Sequence, residues 1–119
     1  MLNQIVLVGR LTRNIEVHKS ENNVKVATIS LAIPRSFKNS EGVYDTDFIN
    51  CVAFDSIAEN TSEYCSKGDI VGVKGRVQSR VLEKEDKTKE YQTEIIAEKV
   101  TFLSSKSEDK DEENEEEDK

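Results

Sequence analysis

"DFINCVAFDSIAENTSEYCSKGDIVGVKGRVQSRVL", residues 47 to 82, changes its period twice. From Asp47 to Asp55 the alternation is that of a strand: Ile49, Cys51 and Ala53 fall on one side, Phe48, Asn50, Val52 and Phe54 on the other. Then Ile57, Thr61, Tyr64 and Cys65 recur at helical spacing. Ser56 and Glu59 stand as a capping box, and Gly68 sits where a C-terminal cap belongs. From Asp69 the period returns to two. Val73, Val77 and Val81 point one way, and Lys74, Arg76, Gln78 and Arg80 the other. The stretch reads as strand, one short helix, strand.

Working outward, "NQIVLVGRL" (Asn3 to Leu11) is β-rich and apolar on both faces, a first strand. "VHKSENNV" supplies a hairpin turn, with Asn22-Asn23 tolerating positive φ. "VKVATISLAI" (Val24 to Ile33) is the second strand, its apolar parity slipping midway as in a strand that bends around a small closed barrel. Pro34 is expected to end it, and residues 35 to 46 form a polar loop or a long hairpin arm. Beyond the fourth strand, "EKEDKTKE" is a charged loop and "YQTEIIAEKVTFL" the fifth strand.

The fold class is therefore mainly β. Five strands with one short helix between the third and fourth is the order of an OB-fold, a five-stranded Greek-key barrel whose helix plugs one end. An SH3-like barrel or another α+β arrangement fits the same pattern. Gly9, Gly72 and Gly75 suit tightly coiled strands.

The 119 residues carry a formal charge of −7. Much of it lies in "SSKSEDKDEENEEEDK", residues 104 to 119, with nine acids, three lysines and no apolar residue. Such a run cannot bury enough surface to offset its ordering entropy and is expected to be a disordered acidic tail. Residues 1 to 103, the folded domain, hold fourteen Lys/Arg against fifteen Asp/Glu and are nearly neutral. The tail serves either as a tethered competitor for the cationic strand or as a solubilising segment. Cys51 and Cys65 fit no metal-ligand spacing, and His18 is the sole histidine. Both cysteines are expected to be buried and reduced, as suits a cytoplasmic protein. The N-terminus lacks the basic start and length of a signal peptide or membrane span. No P-loop, nucleophile elbow or metal set is present, so neither an enzyme nor a cofactor is expected.

Lys74, Arg76, Gln78 and Arg80 repeat at about 6.5 to 7 Å, near the spacing of phosphates along a single strand. Taken alone, the row is better read as the solvated face of an antiparallel sheet. The aromatics favour the first reading. Phe48 and Phe54 lie opposite the small Cys51 and Ala53, and Phe37 is flanked by Arg35 and Lys38. Tyr44 and Tyr91 stand near strand starts. Bases stack on such rings whatever their identity. Asn50 shares the face of Phe48 and Phe54. Asp45 and Asp47 read as turn-forming residues ahead of a strand.

These blocks, "MLNQIVLVGRLTR", "VATISLAIPRSFKN", "DFINCVAFDSIAEN", "KGDIVGVKGRVQSR" and "YQTEIIAEKVTFL", resemble the bacterial and phage single-stranded DNA-binding protein family. The likeness runs from Met1 to about Leu103. It implies an OB-fold, a homotetramer and sequence-tolerant coating of single-stranded DNA during replication, recombination and repair. The cellular place it implies is the cytoplasm, at the nucleoid or within a phage host. By position, Phe37, Phe48 and Phe54 match the family's stacking aromatics, Arg35, Lys38, Arg76 and Arg80 its backbone-contacting cations, and Asn3 and Arg10 lie near its strand-one contacts. Three departures stand out. The chain has no tryptophan, Leu82 replaces a frequent aromatic, and "EEEDK" replaces the Asp-Ile-Pro-Phe tip through which members dock replication and repair proteins. The other class considered is an OB-fold protein-interaction module, such as a primosome component, with secondary DNA contact.

Overall fold

Residues 1–105 are described by the computed structural model. Seven elements follow one another: β1 (Ile5–Leu11), β2 (Val17–Lys19), β3 (Lys25–Lys38), β4 (Tyr44–Phe54), α1 (Asp55–Tyr64), β5 (Ile70–Glu83) and β6 (Lys89–Ser104). The sheet order is β1-β5-β6-β4-β3-β2, and β1 also pairs with β3. That last pairing, Arg10 with Ala32 and Leu11 with Leu31, closes a five-stranded barrel, an OB-fold. The sixth strand, β2, lies within the stretch read as a hairpin turn: after a break at residues 12–16, Val17–Lys19 pair with β3, and the turn is confined to residues 20–24.

The core lies inside this barrel. Ile29 and Leu31 from β3, Cys51 and Ala53 from β4, and Val71 and Val73 from β5 are fully buried. Truncating Ile29 or Leu31 to Ala would cost about 2–5 kcal/mol, since a packed core refills a cavity only partly. Burial pushes the Cys51 thiol up to about 11, and burial with the neighbouring Asp69 raises Cys65. Both are free, buried thiols held in their unreactive protonated form.

Closure demands two glycines. A Cβ on Gly9 would lie 2.8 Å from Ile33 Cγ1 and 2.9 Å from the Ala32 carbonyl, where β1 crosses onto β3. On Gly75 it would collide with the Ile96 carbonyl, beside the point where β6 bulges at Glu98. Gly72 has ordinary room, so crowding does not require a glycine there.

Several boundaries differ from the sequence reading. β1 starts at Ile5 rather than Asn3, because Asn3 joins β5 through its side chain instead of its backbone. Pro34 does not end its strand. It pairs with Thr46, and β3 shifts register before Lys38, beyond the part of the strand that β1 and β2 cover. There the second edge has no strand beside it among the described residues, which is where a residue without an N–H is tolerated. Residues 35 to 46 thus form a hairpin arm, turned by Asn39, whose Oδ1 accepts from the Glu41 and Val43 amides. In the earlier hairpin it is Asn23 that takes positive φ, at 64°.

The helix lacks its expected capping box. It begins at Asp55, Phe54 is its N-cap, and no side chain caps it, while Glu59 instead pairs with Lys25. Ala58 and Thr61 supply its buried face, and Tyr64 is exposed. Cys65 caps the C-terminus in extended geometry, and Gly68, at φ 95°, turns the chain toward β5. Among the described residues, no helix is long and apolar enough to cross a membrane. The acidic tail expected from residue 104 lies outside the described residues except for Ser104, the end of β6, and Ser105.

Candidate nucleic-acid interface

Strand alternation fixes what points outward. On β4, Cys51 and Ala53 face the core, so Phe48, Asn50, Val52 and Phe54 face out. Phe48 is 75% exposed and Phe54 39%. The sheet then continues sideways. Val52 pairs in parallel with Ile96 on β6, and Ile96 pairs with Arg76 on β5. Gln78 stands opposite Glu94. Ile96 is only 5% exposed although it belongs to the outer face and not to the core cluster, so it forms an apolar floor between aromatics and cations. On the other flank Phe54 pairs with Val26, Asn50 with Ser30 and Phe48 with Ala32. One continuous surface therefore carries the β4 aromatics, Asn50, and Arg76, Gln78 and Arg80.

The arms add to it unequally. Tyr44 shares the parity of Phe48, and Lys38 Nζ sits 5.7 Å above its ring, within cation–π range. Phe37 is 62% exposed on the same arm. Arg35 turns elsewhere. Its guanidinium grips Asp47, with Nη2 donating to Oδ1 at 2.9 Å and Nε to Oδ2 at 3.1 Å, and lies 3.7 Å from Asp45. Asp45 and Asp47 alternate with Tyr44 and Phe48, which puts this pair on the reverse of the arm. The hydrogen bond with Arg35 holds the Asp47 carboxyl below its ordinary value and raises Arg35 in turn. Tyr91, 72% exposed, pairs with Val81 and so projects from the side of the β5–β6 arm opposite Arg80.

Two residues placed near the first strand already have structural work. The Asn3 amide donates to the Val77 carbonyl at 2.6 Å and accepts from its N–H at 2.9 Å, imitating one more rung of the β1–β5 ladder. Arg10 Nη1 donates to the Gly68 carbonyl at 2.6 Å and ties β1 to the α1–β5 turn. Lys74 points outward from β5, between Val6 on β1 and Lys99 on β6, with no ion-pair partner among the described residues.

The remaining cations of the row are not free. Arg80 Nη1 lies 3.2 Å from Glu94 Oε1, and Arg76 Nη1 lies 4.0 Å from Glu98 Oε2 and donates through Nη2 to Gln78 Oε1. Glu94, Glu98, Val52 and Ile96 are the members of this surface that the row alone does not announce. A period-two pattern identifies one strand's outer face but not which neighbour lies beside it.

The family model for the "Single-strand binding protein family" matches residues 2–103. The chain is 43% identical to single-stranded DNA-binding protein B of Bacillus subtilis over 110 residues, 92% of this chain and 97% of that protein. It is 48% identical over 106 residues to single-stranded DNA-binding protein 3 of Listeria innocua, spanning 89% of this chain and 66% of the relative. With single-stranded DNA-binding protein 1 of Staphylococcus aureus it shares 45% over 107 residues, 90% of this chain and 64% of that one.

Proposed function

Because the chain belongs to the single-strand binding protein family, we propose that it binds single-stranded DNA with little sequence preference, coating and protecting it during replication, recombination and repair. The observation that carries this reading is the outer surface on which exposed Phe48 and Phe54 lie across Val52 and Ile96 from Arg76, Gln78 and Arg80. Rings without base-specific hydrogen bonds accept any base, and paired bases within a duplex cannot reach them. Cations and the Gln78 amide beside the rings meet the phosphates. Phe37, Tyr44 and Lys38 extend the path along the β3–β4 arm. Asn3 and Arg10 support it by fixing β1, and Lys74, Tyr91 and Arg35 contribute at its margins. The function is binding, with no chemical step.

Self-assembly belongs to the same reading. Residues Ile5 to Gly9 of β1 pair with β5 but with no strand on their second edge among the described residues. Val6, 67% exposed, and Val8, 51% exposed, project outward, with Leu103 lying beside Val8 across Gly72. A free edge and an apolar patch together favour a second copy of the chain, consistent with a homotetramer. The nucleoid, in bacterial cytoplasm or a phage-infected host, is the setting this implies.

Titration of a labelled oligo-dT against a duplex of equal length, at low and high salt, tests the function. Tight, salt-sensitive binding to the single strand with little duplex affinity supports it. Equal affinity for both, or none at low salt, refutes it.

A further inference from the structure

The ion pairs on the cationic row have no clear place in the stability of the fold. Exposed pairs add little to a folded state, and glutamate is a poor strand former. Yet Glu94 and Glu98 both stand on β6 directly alongside the two arginines that the binding reading needs. The Glu94 side chain is 20% exposed, while that of its partner Arg80 is 61% exposed. Glu98 is the bulged residue of β6, left without a partner on β5 and brought to Arg76 by the register shift that Gly75 permits.

We propose that Glu94 and Glu98 act as built-in competitors of the DNA phosphates, holding affinity for single strands below what the arginine row would otherwise deliver. The inference rests on the function proposed above. A guanidinium binds a carboxylate and a phosphate through the same donors, so a phosphate arriving at Arg80 exchanges one anion for another, and one arriving at Arg76 meets the Glu98 carboxylate 4.0 Å away. The carboxylate it displaces remains beside the strand and repels it. Stacking on Phe48 and Phe54 is untouched by this exchange. The protein therefore grips bases fully and phosphates only partly, which favours release and movement along the strand over permanent capture. The opposite role for the same geometry is positioning, in which the glutamates hold the arginines in the pose that phosphates need.

The two roles differ in sign. Glu94→Gln, Glu98→Gln and the double variant are titrated with oligo-dT by fluorescence anisotropy across a range of salt. Competition predicts tighter binding, roughly two- to fivefold per carboxylate, and a log–log salt dependence steeper by ~0.7 for each cation released. Glu63→Gln, on the exposed side of α1 away from this surface, removes the same charge and should change affinity less than twofold. Unchanged or weaker binding by both glutamine variants, with wild type still binding, overturns the proposal. So does equal tightening by Glu63→Gln, which would assign the effect to net charge. If substitution of the less exposed Glu94 lowers the melting temperature, Glu98→Gln alone carries the test, its side chain being 49% exposed. Failure of wild type to bind any single strand would instead refute the function itself, and this inference with it.

Discussion

The outward faces of β4 and β5 are neighbours across β6, but they are prepared differently. On β4, Phe48 and Phe54 stand exposed. On β5, Arg80 already hydrogen-bonds Glu94 of β6, and Arg76 lies 4.0 Å from Glu98. Apolar rings have no polar partner to lose when a base arrives, so their contribution is available in full. The arginines must exchange partners, so theirs is a difference between two anions. Single-strand preference should therefore come mainly from β4, and salt sensitivity from β5 as moderated by β6.

The largest expected effect is on the β4 side. Phe48→Ala should cost ~1–3 kcal/mol of binding to oligo-dT, the usual worth of one stacked base, and Phe54→Ala, less exposed, somewhat less. If the double variant binds oligo-dT as wild type does, the comparison fails at its stronger half. Next comes the bulge that sets Glu98 of β6 near Arg76 of β5. Gly75→Ala forces a Cβ into the Ile96 carbonyl, and overpacking of this kind costs about 1–3 kcal/mol. At about 4–8 °C per kcal/mol for a domain this size, the melting temperature should fall by roughly 5–20 °C. An unchanged melting curve would mean that the bulge relaxes freely.

The β5 side gives a smaller and conditional effect. Arg80→Ala should weaken binding only a few-fold in wild type, because Glu94 already neutralises that arginine. In a Glu94→Gln background the same substitution should cost more. Equal losses in the two backgrounds would show that the pair does not couple to DNA. The smallest effect concerns pH. Asp47 is held below its ordinary carboxyl value by Arg35, so its stabilising contribution is complete above pH 3.8 and is lost as pH falls through the lowered value. Asp47→Asn should melt slightly below wild type near neutrality and converge with it in strong acid. The pair is exposed, so the gap should be small.

These expectations draw on parts of the molecule that differ in how far the sequence discloses them. The alternation of Cys51 and Ala53 with Phe48 and Phe54 tells inside from outside on β4 without any knowledge of neighbours. The single helix between the third and fourth strands pointed to an OB-fold, while an SH3-like barrel fitted the same pattern until the β1–β3 pairing closed the barrel. What stayed hidden depends on lateral register. Nothing in "QTEIIAEKV" announces that Ile96 lies between Val52 and Arg76, or that a bulge at Glu98 re-aims its carboxylate. Local propensity also misled where tertiary contacts prevailed. Pro34 reads as a stop, yet an arm with no strand on its second edge among the described residues accommodates it, and Glu59 reads as a cap, yet Lys25 captures it. Arg35 and Tyr91 project from the reverse of their arms, which the sequence does not disclose.

The central claim is that one outer surface, built from β4, β6 and β5, takes the strand. The most direct test is amide chemical-shift mapping of the intact chain during titration with oligo-dT. The account predicts the largest shifts at Phe48 to Phe54, Arg76 to Arg80 and Glu94 to Glu98, with further shifts along the Phe37–Tyr44 arm. Shifts concentrated on α1 or on the free edge of β1, with those segments unmoved, would contradict it.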